Sequence, residues 1–173
     1  VINYYFSNPL YEGDITSALE EFFGCKVNKV IEEQYLENEN AHLLFHEWFV
    51  FDFKLSSHKS LLVDFYETNP IGYSAADLNL YKDLQENEYG YFEVVSSKPG
   101  RVEVSSLQNN KNYVVREYSA SHGLKPKTII ISRVAKVEDR YEFVGGKLIN
   151  LDIEFMEVVR NAFLNSKATT TPK

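Results

Sequence analysis

The chain has a single cysteine, Cys25, among 173 residues. That excludes an intramolecular disulfide and any cysteine-based zinc cluster. Cys25 follows Gly24 with no motif around it, and reads as a small buried hydrophobe. No apolar run reaches the roughly 18 residues of a membrane-spanning helix, so no membrane partner is expected. No basic-then-apolar leader opens the chain, and a cytoplasmic location is expected. Glycine is sparse: Gly145-Gly146 lacks the rest of any phosphate-loop fingerprint, so no nucleotide cofactor is implied. No serine sits in a nucleophile elbow. These absences remove the familiar catalytic signatures, and the sequence points away from an enzyme and implies no cofactor.

What is present is a core. Hydrophobic residues make up 44% of the chain, which excludes wholesale disorder. Aromatics reach 14%, with 12 Tyr and 12 Phe, and such rings favour strands and large buried contacts. The length fits one domain, or one domain with a small helical annex. Charge is uneven. Residues 1–88 carry 5 Lys/Arg against 16 Asp/Glu, a net of −11, and residues 89–173 carry 13 against 9, a net of +4.

The first half has helical periodicity. Val1 to Tyr11 is aromatic and irregular, and reads as a strand or extended arm. Gly13-Asp14 suggests a turn, Ser17 with Glu20 has capping-box spacing, and Gly24 ends that helix. Val27, Val30, Ile31, Gln34 and Tyr35 suggest a second helix. Leu43 to Phe53 is apolar nearly all round, so a helix there must be buried on most sides, with Trp48 in the core. Leu61, Leu62, Phe65 and Tyr66 make a short helix before Asn69-Pro70, and Ser74 caps another.

From Tyr89 the period changes to 2. Strands are expected at 91–97, 101–107, 112–118, 128–137 and 140–144, with Lys98-Pro99-Gly100 and Gln108-Asn109-Asn110-Lys111 as turns and Gly145-Gly146 ending the last. Five short strands suggest a small antiparallel barrel, SH3-like or OB-like. A final helix over 152–165 places Phe155, Val158, Val159, Ala162 and Phe163 on one face. The expectation is an α+β protein. It comprises an acidic helical part over 1–88, a basic five-stranded β-barrel over 89–150, and a C-terminal helix and polar tail over 151–173, all forming one compact unit.

The run Glu47-Trp48-Phe49-Val50-Phe51-Asp52, then Leu61-Leu62-Val63-Asp64-Phe65-Tyr66, then Gly90-Tyr91-Phe92-Glu93-Val94 resembles the middle region of uncharacterised bacterial proteins that end in a SEC-C zinc motif. Tyr113-Val114-Val115-Arg116-Glu117, Leu124-Lys125-Pro126 and Ser132-Arg133-Val134 continue it. The resemblance covers about residues 43–146 and implies a domain of a larger bacterial protein, with no activity attached. The cysteine-rich SEC-C tail is absent from this sequence, so no zinc site carries over.

Several residues are candidates for chemistry. His42 and His46 are four apart on a helix, with Glu47 beside the second, a spacing that can hold a metal although the zincin order is missing. Asp52, among Phe49, Phe51 and Phe53, could be an acid or a cap. Strand alternation puts Glu117 beside Val115 and Arg133 beside Ile131 on apolar faces, which suggests an ion pair between consecutive strands, or a ligand site. Lys98, Arg101, Lys111, Lys125 and Lys127 are the basic candidates for nucleic acid, with Tyr89, Tyr91, Tyr113, Tyr118 and Tyr141 available for stacking. The expected function is a non-catalytic binding or interaction module, its partner another protein or single-stranded nucleic acid. The alternatives are nucleic-acid binding through the basic barrel, and a metal-dependent hydrolase using His42 and His46.

Overall fold

The computed structural model describes residues 1–28 and 38–169. The helix expected from Val27 to Tyr35 falls largely on residues 29–37, outside the described residues. The chain divides into two compact units, Val1–Gln85 with Gly145–Lys147, and Glu86–Val144 with Leu148–Lys173.

The first unit is helical: α1 (Ile2–Phe6), a 3-10 turn (Pro9–Tyr11), α2 (Glu12–Phe23), α3 (Glu39–Phe51), α4 (Leu61–Thr68) and α5 (Ala75–Asp83). The caps follow side-chain chemistry. Asn38, Ser60 and Ser74 each accept a bond from a backbone N–H in the first turn of α3, α4 and α5. Gly24 ends α2 in the left-handed region that glycine enters without strain. Asp14 stands in the first turn of α2, not in a turn before it. Its carboxylate accepts from the Ser56 N–H at 2.8 Å and from its hydroxyl at 2.6 Å.

The opening segment is helix, not an extended arm, and its aromatics explain why. Tyr5 is fully buried, and its hydroxyl donates to Asp64 of α4 at 2.7 Å and to the Leu61 carbonyl at 3.2 Å. One turn brings Tyr4 beside Tyr5 and Phe65, and Tyr11 lies edge-on to Tyr5 at 4.6 Å. In α3, Phe45, Glu47 and Phe49 are all buried, positions that span more than one side of the helix, as its all-round apolar character requires. Phe45 and Phe49 stack at 5.4 Å, and half-buried Trp48 packs against Phe22, Phe45 and Phe53.

The second unit is a closed five-stranded barrel followed by a helix: β1 (Asn87–Lys98), β2 (Arg101–Ser106), β3 (Asn112–Val115), β4 (Ile129–Val137), β5 (Arg140–Asn150) and α6 (Ile153–Thr169). The strand order is β1-β2-β3-β5-β4, closed by β4 on β1. β3 meets β5 in parallel through Val115 and Tyr141, and the other pairs are antiparallel. This crossover is a Greek-key closure of the OB-like kind, which resolves the two barrels the sequence left open. β1 is long enough to pair with β4 through its first half and with β2 through its second, bending at a bulge between Val94 and Ser96. The core is Phe92, Val94, Val102, Val104, Tyr113, Val115, Leu124, Ile130 and Val134.

Gly145-Gly146 does not end the last strand. β5 runs through it to Asn150, with a register shift against β4 between Ile131 and Arg133. α6 docks by only part of the face expected: Val159 and Phe163 are half-buried, and the rest of that face is turned outward. Phe155 and Val158 are 61% and 65% exposed. Contact with the barrel comes from Met156, whose sulfur accepts from the Ile129 N–H, from Arg160, paired with Glu93 at 2.9 Å, and from Phe163 against Tyr91. These three positions share a helical face, and β1 presents Glu93 to it.

Candidate binding face of the barrel

The turn Lys98-Pro99-Gly100-Arg101 joins β1 to β2, with Lys98 and Arg101 as directly opposed partners. Gly100 has φ of +82°, and a Cβ there would sit 2.9 Å from the Tyr118 ring. Glycine is therefore required twice, by the backbone and by the ring lying on it. Tyr118 is 61% exposed, and the Arg116 guanidinium lies 5.6 Å from its ring centroid.

Ser121 holds this arrangement. Its hydroxyl accepts from the Gly100 N–H at 3.3 Å and donates to the Tyr118 carbonyl at 2.8 Å. Its own carbonyl accepts from the Ser97 hydroxyl at 2.8 Å. Glu117 lies past the end of β3, where its carboxylate accepts from the Ala120 N–H at 2.9 Å at the start of a 3-10 turn, Ala120–His122. The result is an aromatic face pinned at its edge, a guanidinium over it, and two further cations on the adjoining turn. Such a surface stacks a planar group and neutralises anions beside it. Arg101 also pairs with Glu103 at 2.7 Å, and that bond, with one from Ser96, holds the Glu103 carboxyl below the usual range.

The basic candidates do not form one cluster. Lys98 and Arg101 stand together, whereas Lys111 lies past the other end of β2, about 16 Å away at strand rise. Lys125 and Lys127 are exposed in the segment before β4, and the Lys127 N–H bonds to Val94 in mid-β1. Compared with residues 89–173, the barrel unit gains Glu86 and Glu88 and lacks Lys147. That unit then carries 12 Lys/Arg against 11 Asp/Glu, a net of +1, so the basic character of the barrel is local.

The tyrosines separate as sharply. Tyr113 is in the core, Tyr91 meets Phe163, Tyr141 packs edge-on to Tyr113, and Tyr89 lies under Arg133. Tyr118 is the most exposed of the five.

The expected Glu117–Arg133 pair does not form. β3 and β4 are not neighbours, because β5 lies between them. Ile130 and Val134 point into the barrel, so Arg133 lies on the outward face of β4, opposite Tyr89. It is 2% exposed, and its guanidinium donates to Asn87 Oδ1 at 2.6 Å. β4 is buried nearly without alternation, and that hides which face is inward.

His42 and His46 do come together, with ring centroids 4.0 Å apart. Burial, and then the neighbouring His42, lower the pKa of His46 to about 4. Among the described residues no group of three or more His, Cys, Asp or Glu side chains is placed to hold a metal ion. Asp52 is exposed at the C-terminus of α3, outside the enclosure expected for it. Cys25 is exposed rather than buried. Sequence reasoning missed Arg116 and Ser121. The only signal was the small polar run Ser119-Ala120-Ser121 after a strand, which suits a backbone-bonding turn. Comparison with protein-family models, curated proteins and solved structures finds no match to this chain. No helix among the described residues is long and apolar enough to cross a membrane.

Proposed function

We propose that this chain is a non-catalytic binding module whose ligand face is the outer barrel surface around the β1–β2 turn. The same proposal places it within a larger bacterial protein, on the resemblance of residues 43–146 to the middle region of SEC-C proteins. The observation that carries the ligand face is exposed Tyr118, braced on Gly100 and overlaid by Arg116, with Lys98 and Arg101 alongside. Single-stranded nucleic acid fits this chemistry, with a base on the ring and phosphates on the cations. Fluorescence anisotropy of a labelled single-stranded RNA at low salt tests it. Tyr118→Ala is expected to weaken binding about tenfold, the worth of one stacked base. An affinity indifferent to Tyr118→Ala and to Lys98→Gln would reject this ligand class.

A protein partner is a second reading. Val95 and Val114 are both exposed on the outside of the same strands. A double Val95→Ser, Val114→Ser variant that leaves RNA affinity unchanged but abolishes a protein interaction would favour it.

A further inference from the structure

At the end of the barrel away from the β1–β2 turn, the Lys111 ammonium sits in a corner of rings and carboxylates. Its Nζ lies 4.8 Å from the Tyr113 ring centroid and 5.6 Å from that of Tyr141. The two rings stand edge-to-face at 79°, with centroids 5.0 Å apart, so they form two walls. Glu86 supplies a third side, its Oε1 3.8 Å from the ammonium. Each phenol donates to a carboxylate, Tyr113 to Glu88 at 2.7 Å and Tyr141 to Glu86. A phenol that leans its proton toward a carboxylate enriches its own ring in electrons, which strengthens its attraction for a cation.

The corner is built, not incidental. Glu88 also accepts from Ser106 and from Asn109 at 3.0 Å. Burial alone would raise the Glu88 pKa, but these bonds, that of Tyr113 and the nearby Lys111 charge outweigh it and hold the carboxyl below its usual range. The carboxylate is thus kept charged beside the rings. The loop is held through its backbone: Lys111 N–H donates to Asn109 Oδ1 at 2.8 Å, and its carbonyl accepts from the Ser106 N–H at 2.9 Å.

The Lys111 side chain, by contrast, is loosely kept. Among the described residues its ammonium makes no hydrogen bond; charge and ring faces alone hold it, and half of the side chain is exposed. A site that holds a cation without using its N–H donors serves one that has none equally well. We propose that Tyr113, Tyr141, Glu86 and Glu88 form a binding cage for a quaternary alkylammonium group, which Lys111 fills from within the chain and an external cation displaces. The group could arrive as a free quaternary amine or as trimethylated lysine in a peptide.

The test is a nuclear magnetic resonance titration of the whole chain, with tetramethylammonium chloride and a short trimethyl-lysine peptide as probes and sodium chloride as the ionic control. The ring protons of Tyr113 and Tyr141 are read, and those of Phe92 report that the barrel is intact. Lys111→Ala, with Lys111→Gln as a variant that keeps part of the stem, is expected to bind tetramethylammonium about tenfold tighter than the parent chain. Adding Glu86→Gln to either is expected to reverse most of that gain. Tighter binding of the peptide than of tetramethylammonium identifies a peptide as the source, and equal binding a free amine. An intact Lys111 variant showing no saturable shift beyond sodium chloride would overturn the proposal. So would a shift that survives both Glu86→Gln and Tyr141→Ala.

Discussion

Asp64 is the residue on which the N-terminal helices close. It is buried on α4 and receives the hydroxyls of Tyr5 at 2.7 Å and Tyr11 at 3.4 Å. Burial, then the Asp64 charge, pushes the Tyr11 pKa up to about 12, and Tyr5 is raised further for the same reasons. Tyr5→Phe removes one donor and leaves a buried carboxylate under-bonded, so a loss of about 1–3 kcal/mol is expected. Urea unfolding followed by Trp48 fluorescence measures it, since Trp48 packs in the same core. An unchanged midpoint would show that the bond contributes nothing net. His46 gives a second residue-scale expectation. Its pKa of about 4 in the folded chain lies below the roughly 6.5 of an unfolded histidine. Between those values the unfolded state binds more protons, so stability is complete above about pH 6.5 and declines as pH falls toward 4. His46→Gln should flatten that part of the pH–stability curve, and a slope equal to the parent's would reject the assignment.

Among elements, the strands were legible in outline because alternation and turn residues are local signals. Lys98-Pro99-Gly100 and the Asn109-Asn110 loop stand where the sequence put them. Strand order was not legible: alternation says which side chains share a face, not which strands are neighbours. The insertion of β5 between β3 and β4 therefore undid the Glu117–Arg133 pair. α1 was missed because it is only five residues long and has no side-chain cap, so its stability comes from Tyr5 packing far along the sequence. The proposed ligand face was half legible: Lys98, Arg101 and Tyr118 were visible as residue types, but their meeting depends on Ser121 bridging two segments. At this scale Gly100→Ala is the sharp variant. It places a Cβ at positive φ and against the Tyr118 ring, and should destabilise the barrel by about 1–2 kcal/mol. Thermal unfolding by circular dichroism checks it, and a neutral result would mean that the turn and ring part freely.

For the whole molecule, charge decides how a polyanion is met. The chain is −7 overall, and the barrel unit is nearly balanced, so no long-range field draws phosphates in. Under the proposed nucleic-acid reading, binding comes from short-range contact at the proposed platform, through Lys98, Arg101 and Arg116. About three neutralised phosphates on a single strand give a slope near −2 for log affinity against log salt. Between 50 and 200 mM salt that is a loss of about twentyfold. Lys98→Gln should make the slope shallower by about 0.7, because one counterion-releasing contact is gone. Tyr118→Ala should lower affinity at every salt concentration and leave the slope alone, since stacking releases no counterions. Anisotropy titrations at four salt concentrations separate the two effects. A Tyr118→Ala variant that changes the slope, or a Lys98→Gln variant that does not, would mean that ring and cations serve different ligands.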